Sequence, residues 1–320
     1  MLGRLVNRAL ERVTPDYPWG DTAALFRGAS WRACNLECAL SDRGSPWTIT
    51  EKAFHFRSDA RNIAVLKAAG IDAVSLANNH ILDFEYEAMA DTMALLDGAK
   101  IDRAGAGANI FEASRAAIRS VGEIKVGFVA CTDNEPDWQA GPSQPGTFYV
   151  PIDAGDERAQ RLFETVRETR RRADIVVVSL HWGPNWGYQA PIAHVRFAHS
   201  LVEAGADIVF GHSGHVFRGV ELYRGRPIMY CTGNFVDDYA VDEVERNDQS
   251  FVFIVEVIAG RLRSVQLHPT VIRDCQALLA EGAEANEIAL KMRQLCSELD
   301  TEAQWRAKDP RLDIPIPGGS

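Results

Sequence analysis

Four short polar clusters stand directly after apolar runs, and their residue types are those that bind metal ions and move protons. They are Asn35-Leu36-Glu37, Asn78-Asn79-His80, His181 and Gly211-His212-Ser213-Gly214-His215. Each follows a run that reads as a buried strand: Ser30 to Cys34, Ile71 to Ala77, Asp174 to Leu180 and Ala206 to Phe210. The carboxyl ends of strands form the ligand crevice of open α/β sheets, so the four clusters are expected to converge. Oxygen and imidazole donors without thiolate suit manganese, iron or zinc in a hydrolytic site. Taken singly, each cluster has a plainer reading, as a hydrogen-bonded histidine, a turn with a helix cap, or a solvated glutamate. Their common position at strand ends favours the metal site.

The elements that must position these clusters alternate along the middle of the chain. Asp59 to Ala69 reads as a helix stopped by Gly70, and Tyr86 to Leu96 returns to helical spacing. Residues 123–131 read as a strand, Glu157 to Arg172 as a charged surface helix, and Ile192 to Ala204 as a helix broken by Gly205. The period then changes. Val216 to Tyr223 and Pro227 to Tyr230 flank a hairpin turn at Arg224-Gly225-Arg226, and Ser250 to Val257 and Arg261 to His268 flank another at Ala259-Gly260. A helix follows around Ala283 to Leu299. With no repeat and no linker-like stretch, residues 1–300 are expected to form a single domain and 301–320 an irregular tail.

Composition narrows the function classes. Apolar residues at 46% and charged residues at 24% exclude a disordered, collagenous or coiled-coil chain. A net charge of −10 argues against a dedicated nucleic-acid protein, so no nucleic acid is expected as a partner. Six scattered cysteines do not make a disulfide scaffold, and no paired CxxC units exist for structural zinc. No apolar run reaches the roughly 18 residues of a membrane helix, and Met1 to Arg12 has no secretory core. The chain as written is therefore expected to be cytoplasmic, and membrane-attached or extracytoplasmic if an anchor precedes it.

Several stretches together resemble the CapA family, the poly-γ-glutamate capsule-synthesis proteins related to calcineurin-type metallophosphoesterases. They are MLGRLVN at 1–7, CNLECAL at 34–40, SLANNHILDF at 75–84, VVSLHWGPNWGY at 177–188 and AGADIVFGHSGHVFRGVELYRGRPIMYCTGNFVDD at 204–238. The resemblance spans about Met1 to Thr270 in the correct order. It implies a four-layer αββα sandwich, two β-sheets face to face with helices outside.

The same resemblance implies roles. Glu37 resembles the carboxylate bridging two metal ions, Asn79, His181 and His212 the ligands of one ion, and His215 a ligand of the other. His80 resembles the imidazole that meets the substrate or leaving oxygen, with Asp83 three residues on to hold its tautomer. Two divalent ions about 3.5–4 Å apart would clamp an oxyanion and activate water near neutral pH. Arg218, Arg224 and Arg226, near the hairpin, are candidates for binding an acidic substrate, against the plainer reading of a solvated hairpin.

Two departures stand out. The family reads Gly-Asp just ahead of the segment matched by Met1 to Arg4, and that Asp is an implied ligand on the first core strand. The expectation is a shortened start, an unfilled strand slot, and one or two bound ions. The usual His-His-Pro-His loop is here His212-Ser213-Gly214-His215, which keeps both ligand positions. Two functions from different classes follow. One is a metal-dependent hydrolase of a phosphate ester or an amide-linked acidic polymer. The other is a non-catalytic polyanion-binding or assembly subunit of a capsule or poly-γ-glutamate synthesis system, with membrane partners in that system implied by the family.

Overall fold

The computed structural model describes residues 1–317. Its centre is a six-stranded sheet in the order Val220–Tyr223, Arg226–Met229, Ile208–His212, Ile175–His181, Ile124–Thr132, Ala117–Val121. The four inner strands run parallel, and each edge strand joins by an antiparallel hairpin. Every residue of Ile175–His181 is buried, which is why that stretch is a continuous apolar run with no alternation.

A second layer faces it in two pieces. One is a parallel trio, Ala33–Asn35, Ala73–Ser75 and Asp102–Ala104. The other is antiparallel, Gln249–Ile258, Arg261–Arg273, Arg311–Pro315 and Gln304–Arg306, with Gln276–Leu279 also paired to Arg261–Arg273. Ala73 and Ala104 from the trio, Phe128 and Val177 from the six-stranded sheet, and Phe251 and Leu267 from the antiparallel piece share one buried cluster. The helices Glu157–Arg170 and Ile192–Ala204 cover the other face of the six-stranded sheet, through Leu162, Phe163, Phe197 and Leu201. Ile63–Ala68 and Glu85–Ala99 cover the outer face of the trio, with Leu66, Met89 and Leu96 packed on Val74 and Leu76. The order helix, sheet, sheet, helix is the four-layer α/β arrangement that the resemblance implied. No helix among the described residues is long and apolar enough to cross a membrane.

The two pieces of the second layer leave a cleft of about 860 Å³ between Ala33–Asn35 and Gln249–Ile258. Each of these strands has one ladder partner, so an unpaired edge of each borders the cleft. Its walls are apolar, with Trp31, Val126, Val177, Ile208, Phe210 and Phe253 among them.

The tail departs from expectation. Residues 304–306 and 311–315 form strands where an irregular tail was expected. Leu312 and Ile314 are fully buried while Asp313 pairs with Arg306 and Arg311 on the outside. Prolines at 310, 315 and 317 suggest irregularity in the sequence, but Pro315 sits at the strand's end, where proline is tolerated.

Candidate metal centre

The parallel register between Ile175–His181 and Ile208–His212 sets His181 directly beside His212. Their Nδ1 atoms lie 3.0 Å apart, and His212 Nε2 lies 2.8 Å from Ser179 Oγ. Ser179 and His181 are two apart on one strand and so share a face. Burial pushes His181 well below the usual imidazole range, with the neighbouring His212 adding to the shift, and pushes His212 down to about 3. Both rings are therefore held neutral, the form that binds a metal. Gly211 allows the close packing here, because a Cβ on it would lie 2.4 Å from the Tyr230 carbonyl oxygen.

The Asn35 and Asn78 side chains tie two further clusters together. Asn78 Nδ2 donates to Asn35 Oδ1 at 3.0 Å and to the Leu36 carbonyl at 2.9 Å. Asn35 Nδ2 donates to Glu37 Oε2 at 2.8 Å, and the His80 N–H donates to Asn78 Oδ1 at 3.0 Å. The bridge follows from strand pairing, since Asn35 and Ser75 are register partners at the carboxyl ends of adjacent strands. Burial raises the Glu37 carboxyl to about 7, with Asp83 and Asp237 adding to the rise.

His80 Nδ1 lies 2.6 Å from Asp83 Oδ2, which also accepts the Phe56 N–H at 2.6 Å. This assigns the Nδ1 proton to the side facing Asp83. Lys52, absent from the sequence-based candidates, reaches three elements at once. Its Nζ donates to the Asn79 carbonyl at 2.6 Å and to Glu135 Oε1 at 3.1 Å, and approaches Asp83 Oδ1 to 3.4 Å. His215 Nδ1 is 3.1 Å from Asn234 Oδ1, and its backbone N–H donates to the Asn185 carbonyl. Asn234 and Lys52 had no distinguishing signal, because each is a single polar residue whose partners lie far away in sequence.

Glu37, Asn79, His80 and His215 line one cavity of about 490 Å³, together with Lys52 and Tyr239. His181 and His212 pair with each other, and His212 lines the adjoining cleft beside Glu37 and His215. The arginines do not join them. Arg218 is buried and donates to the carbonyls of Gly187 at 3.0 Å and Pro184 at 2.8 Å, bracing the loop after His181. Arg224 pairs with Glu203, and Arg226 pairs with Asp207, at the amino-terminal side of Ile208–His212. The metal candidates stand at the carboxyl ends, so the hairpin arginines are at the wrong end of the sheet for substrate.

The donor set fits a divalent ion. His181 Nε2 and Asn79 Oδ1 are each buried without a partner, and His181 Nδ1 lies 3.0 Å from His212 Nδ1. Among the described residues, no three His, Cys, Asp or Glu side chains already stand together as a finished cage. An ion here therefore needs the Asn79 amide or a small inward turn of a carboxylate.

The bacterial capsule synthesis protein family PGA_cap matches residues 1–239. The chain is 36% identical over 265 residues to a probable polyglutamine synthesis accessory protein of Mycobacterium tuberculosis, covering 79% of this chain and 69% of that one. It is 26% identical over 320 residues to the PGA biosynthesis protein CapA of Bacillus subtilis, covering 99% and 80%. It is 25% identical over 328 residues to the capsule biosynthesis protein CapA of Bacillus anthracis, covering 99% and 75%. The match covers all four polar clusters, and the chain belongs to the bacterial capsule synthesis protein family PGA_cap.

Proposed function

We propose that this protein is a metal-dependent hydrolase of a phosphate ester or an amide-linked acidic polymer, in poly-γ-glutamate or capsule metabolism. The observation that carries the reading is the neutral, buried His181–His212 pair, set near a third imidazole, His80, whose Nδ1 is held by Asp83. Asn79, His181 and His212 would hold one divalent ion, manganese, iron or zinc, and Glu37 and His215 a second. A bound ion would supply Lewis acidity at the scissile bond.

The chain's own residues do the rest. His80 keeps its Nδ1 proton on Asp83, leaving Nε2 to exchange a proton with the leaving atom. Asn35 and Asn78 fix Glu37 relative to His80. Among the described residues lining the 490 Å³ cavity, Lys52 is the one lysine or arginine, against Glu37, Glu51 and Glu135. Its ammonium is already engaged by three acceptors. An acidic substrate would meet net negative charge there unless divalent cations were bound, which ties acidic-substrate binding to metal.

The experiment is elemental analysis and hydrolysis assays on the wild type, His181→Ala and His212→Ala. Bound metal and activity on an aryl phosphate or a γ-glutamyl polymer, both lost in the variants, support the reading. A folded wild type that takes up no metal overturns it. A second reading is favoured by the accessory role in the Mycobacterium relative's name. A polyanion-binding subunit would keep its affinity for poly-γ-glutamate after chelation.

A further inference from the structure

Asp237 lies outside the four clusters and has no part in the roles described above. It is 5% exposed, and its Oδ1 accepts the Tyr239 N–H at 3.2 Å while Oδ2 is buried with no partner. A carboxylate anchored through one oxygen and bare on the other is incomplete, because burying a charge without a partner is costly. Asp237 lines the polar end of the large cleft, where Glu37, His215 and Asn234 also stand. Tyr239 links the same group, packing edge-on against the His215 ring at 4.9 Å between centroids.

The surroundings do not neutralise this end of the cleft. The Lys52 ammonium is taken up by Asp83, Glu135 and the Asn79 carbonyl. The Met1 ammonium donates to the Val236 carbonyl at 2.7 Å and is one positive charge beside two buried carboxylates, Glu37 and Asp237. A cation with oxygen and imidazole preference would complete both the charge balance and the free Oδ2.

We propose that Asp237 is a metal ligand, closing with Glu37 and His215 around the ion that the other three donors do not reach. The proposal rests on the metal-dependent reading above and adds to it a carboxylate from the segment after Asn234. Since the side chains do not yet form a cage, it requires Glu37 or Asp237 to turn inward on binding. Outer partners of metal sites already cost about 10- to 100-fold in affinity when removed, so a direct ligand should cost at least that.

The test is Mn²⁺ titration of the wild type, Asp237→Asn and Asp237→Glu, followed by elemental stoichiometry and by the melting temperature with and without Mn²⁺. Asp237→Asn is expected to melt no lower than the wild type when metal-free, because a bare buried charge has been removed. It should lose one equivalent of Mn²⁺, or bind it at least about tenfold more weakly, and lose part of the Mn²⁺-induced rise in melting temperature. Asp237→Glu, which keeps the charge, should recover binding. A wild-type Mn²⁺ titration in Asp237→Asn overturns the ligand role, and so does a lower metal-free melting temperature with an unchanged Mn²⁺ response. If Asp237→Asn does not fold, Asp237→Ser decides: folded with no more than half the wild-type Mn²⁺ content, it counts for the ligand role, and wild-type Mn²⁺ content counts against it. A wild type that binds no Mn²⁺ fails the hydrolase reading itself and this ligand with it.

Discussion

His181 and His212 are register partners on neighbouring parallel strands, and their Nδ1 atoms meet at 3.0 Å. Side chains paired in this way point to the same face of the sheet, so two imidazoles 31 residues apart are brought together by strand pairing alone. One Nδ1 must carry a proton for this contact to be a hydrogen bond, and Ser179 Oγ holds the far side of His212. A metal-free protein with two neutral buried imidazoles should lose stability as pH falls. The unfolded His212 protonates near 6.5, while the folded one stays neutral to about 3. The unfolded state thus binds more protons, and stability drops from about pH 6.5 downward by up to about 1.4 kcal/mol per pH unit per ring. Urea denaturation at pH 7 and pH 5 checks this, and a smaller fall in midpoint for His212→Phe than for the wild type is the expected contrast, because His181 still contributes.

Glu37 should behave oppositely. Burial first, then Asp83 and Asp237, raise its carboxyl from the ordinary 4.5 to about 7. Between those values the folded state holds the extra proton, so its contribution favours low pH and is lost as pH rises through about 7. Glu37→Gln, which can still accept from Asn35, should make the metal-free protein more stable at pH 8 by a few kcal/mol, on the order of 2–3. The same variant should lose metal, so its stability gain should vanish or reverse when Mn²⁺ is added. Denaturation curves with and without Mn²⁺ measure both.

Asp83 is buried, and its Oδ2 meets both His80 Nδ1 and the Phe56 N–H. In Asp83→Asn the amide can turn its nitrogen toward the ring and favour the other tautomer. Hydrolysis should then fall by about 10²–10⁴ in kcat, with bound metal unchanged. A loss of metal equal to the loss of activity would show instead that Asp83 supports the ligand loop.

Lys52 is the counter-charge for Asp83 and Glu135. Lys52→Met keeps most of the volume over Trp138, which the ammonium covers at 4.8 Å from the ring centroid, but leaves Asp83 uncompensated. Breaking a buried pair from one side costs about 3–5 kcal/mol. Burial, the largest influence on Asp83, raises its carboxyl to about 7 despite Lys52, so the penalty should shrink below pH 7 as that carboxyl takes up a proton. Chemical denaturation at pH 8 and pH 5 tests the sign.

Truncation after Asp300 should destabilise the protein severely. It removes Arg311–Pro315, which pairs with both Arg261–Arg273 and Gln304–Arg306 and buries Leu312 and Ile314 completely. Two lost core side chains of that kind cost on the order of 4–8 kcal/mol. A truncated chain that melts as the full chain does would contradict the packing.

The sequence by itself determined the elements and the chemistry at their ends. Apolar runs such as Val176 to Leu180 read as strands buried on both faces, and Gly205 ends its helix in the left-handed region at φ 118°. His, Asn and Glu at four strand ends mark the candidate donors, because parallel sheets open their crevice there. Tertiary structure decided which side chains met. Lys52, Asn234 and Asp237 acquired partners or isolation only when distant loops packed together, and nothing local distinguishes them from surface polar residues. Arg218 was legible as a charge but not as a buried brace, since its three carbonyl partners all lie 31 to 34 residues upstream. The tail strands were hidden for the same reason: a five-residue segment among prolines has little intrinsic preference, and becomes a strand only between the long Arg261–Arg273 and the short Gln304–Arg306.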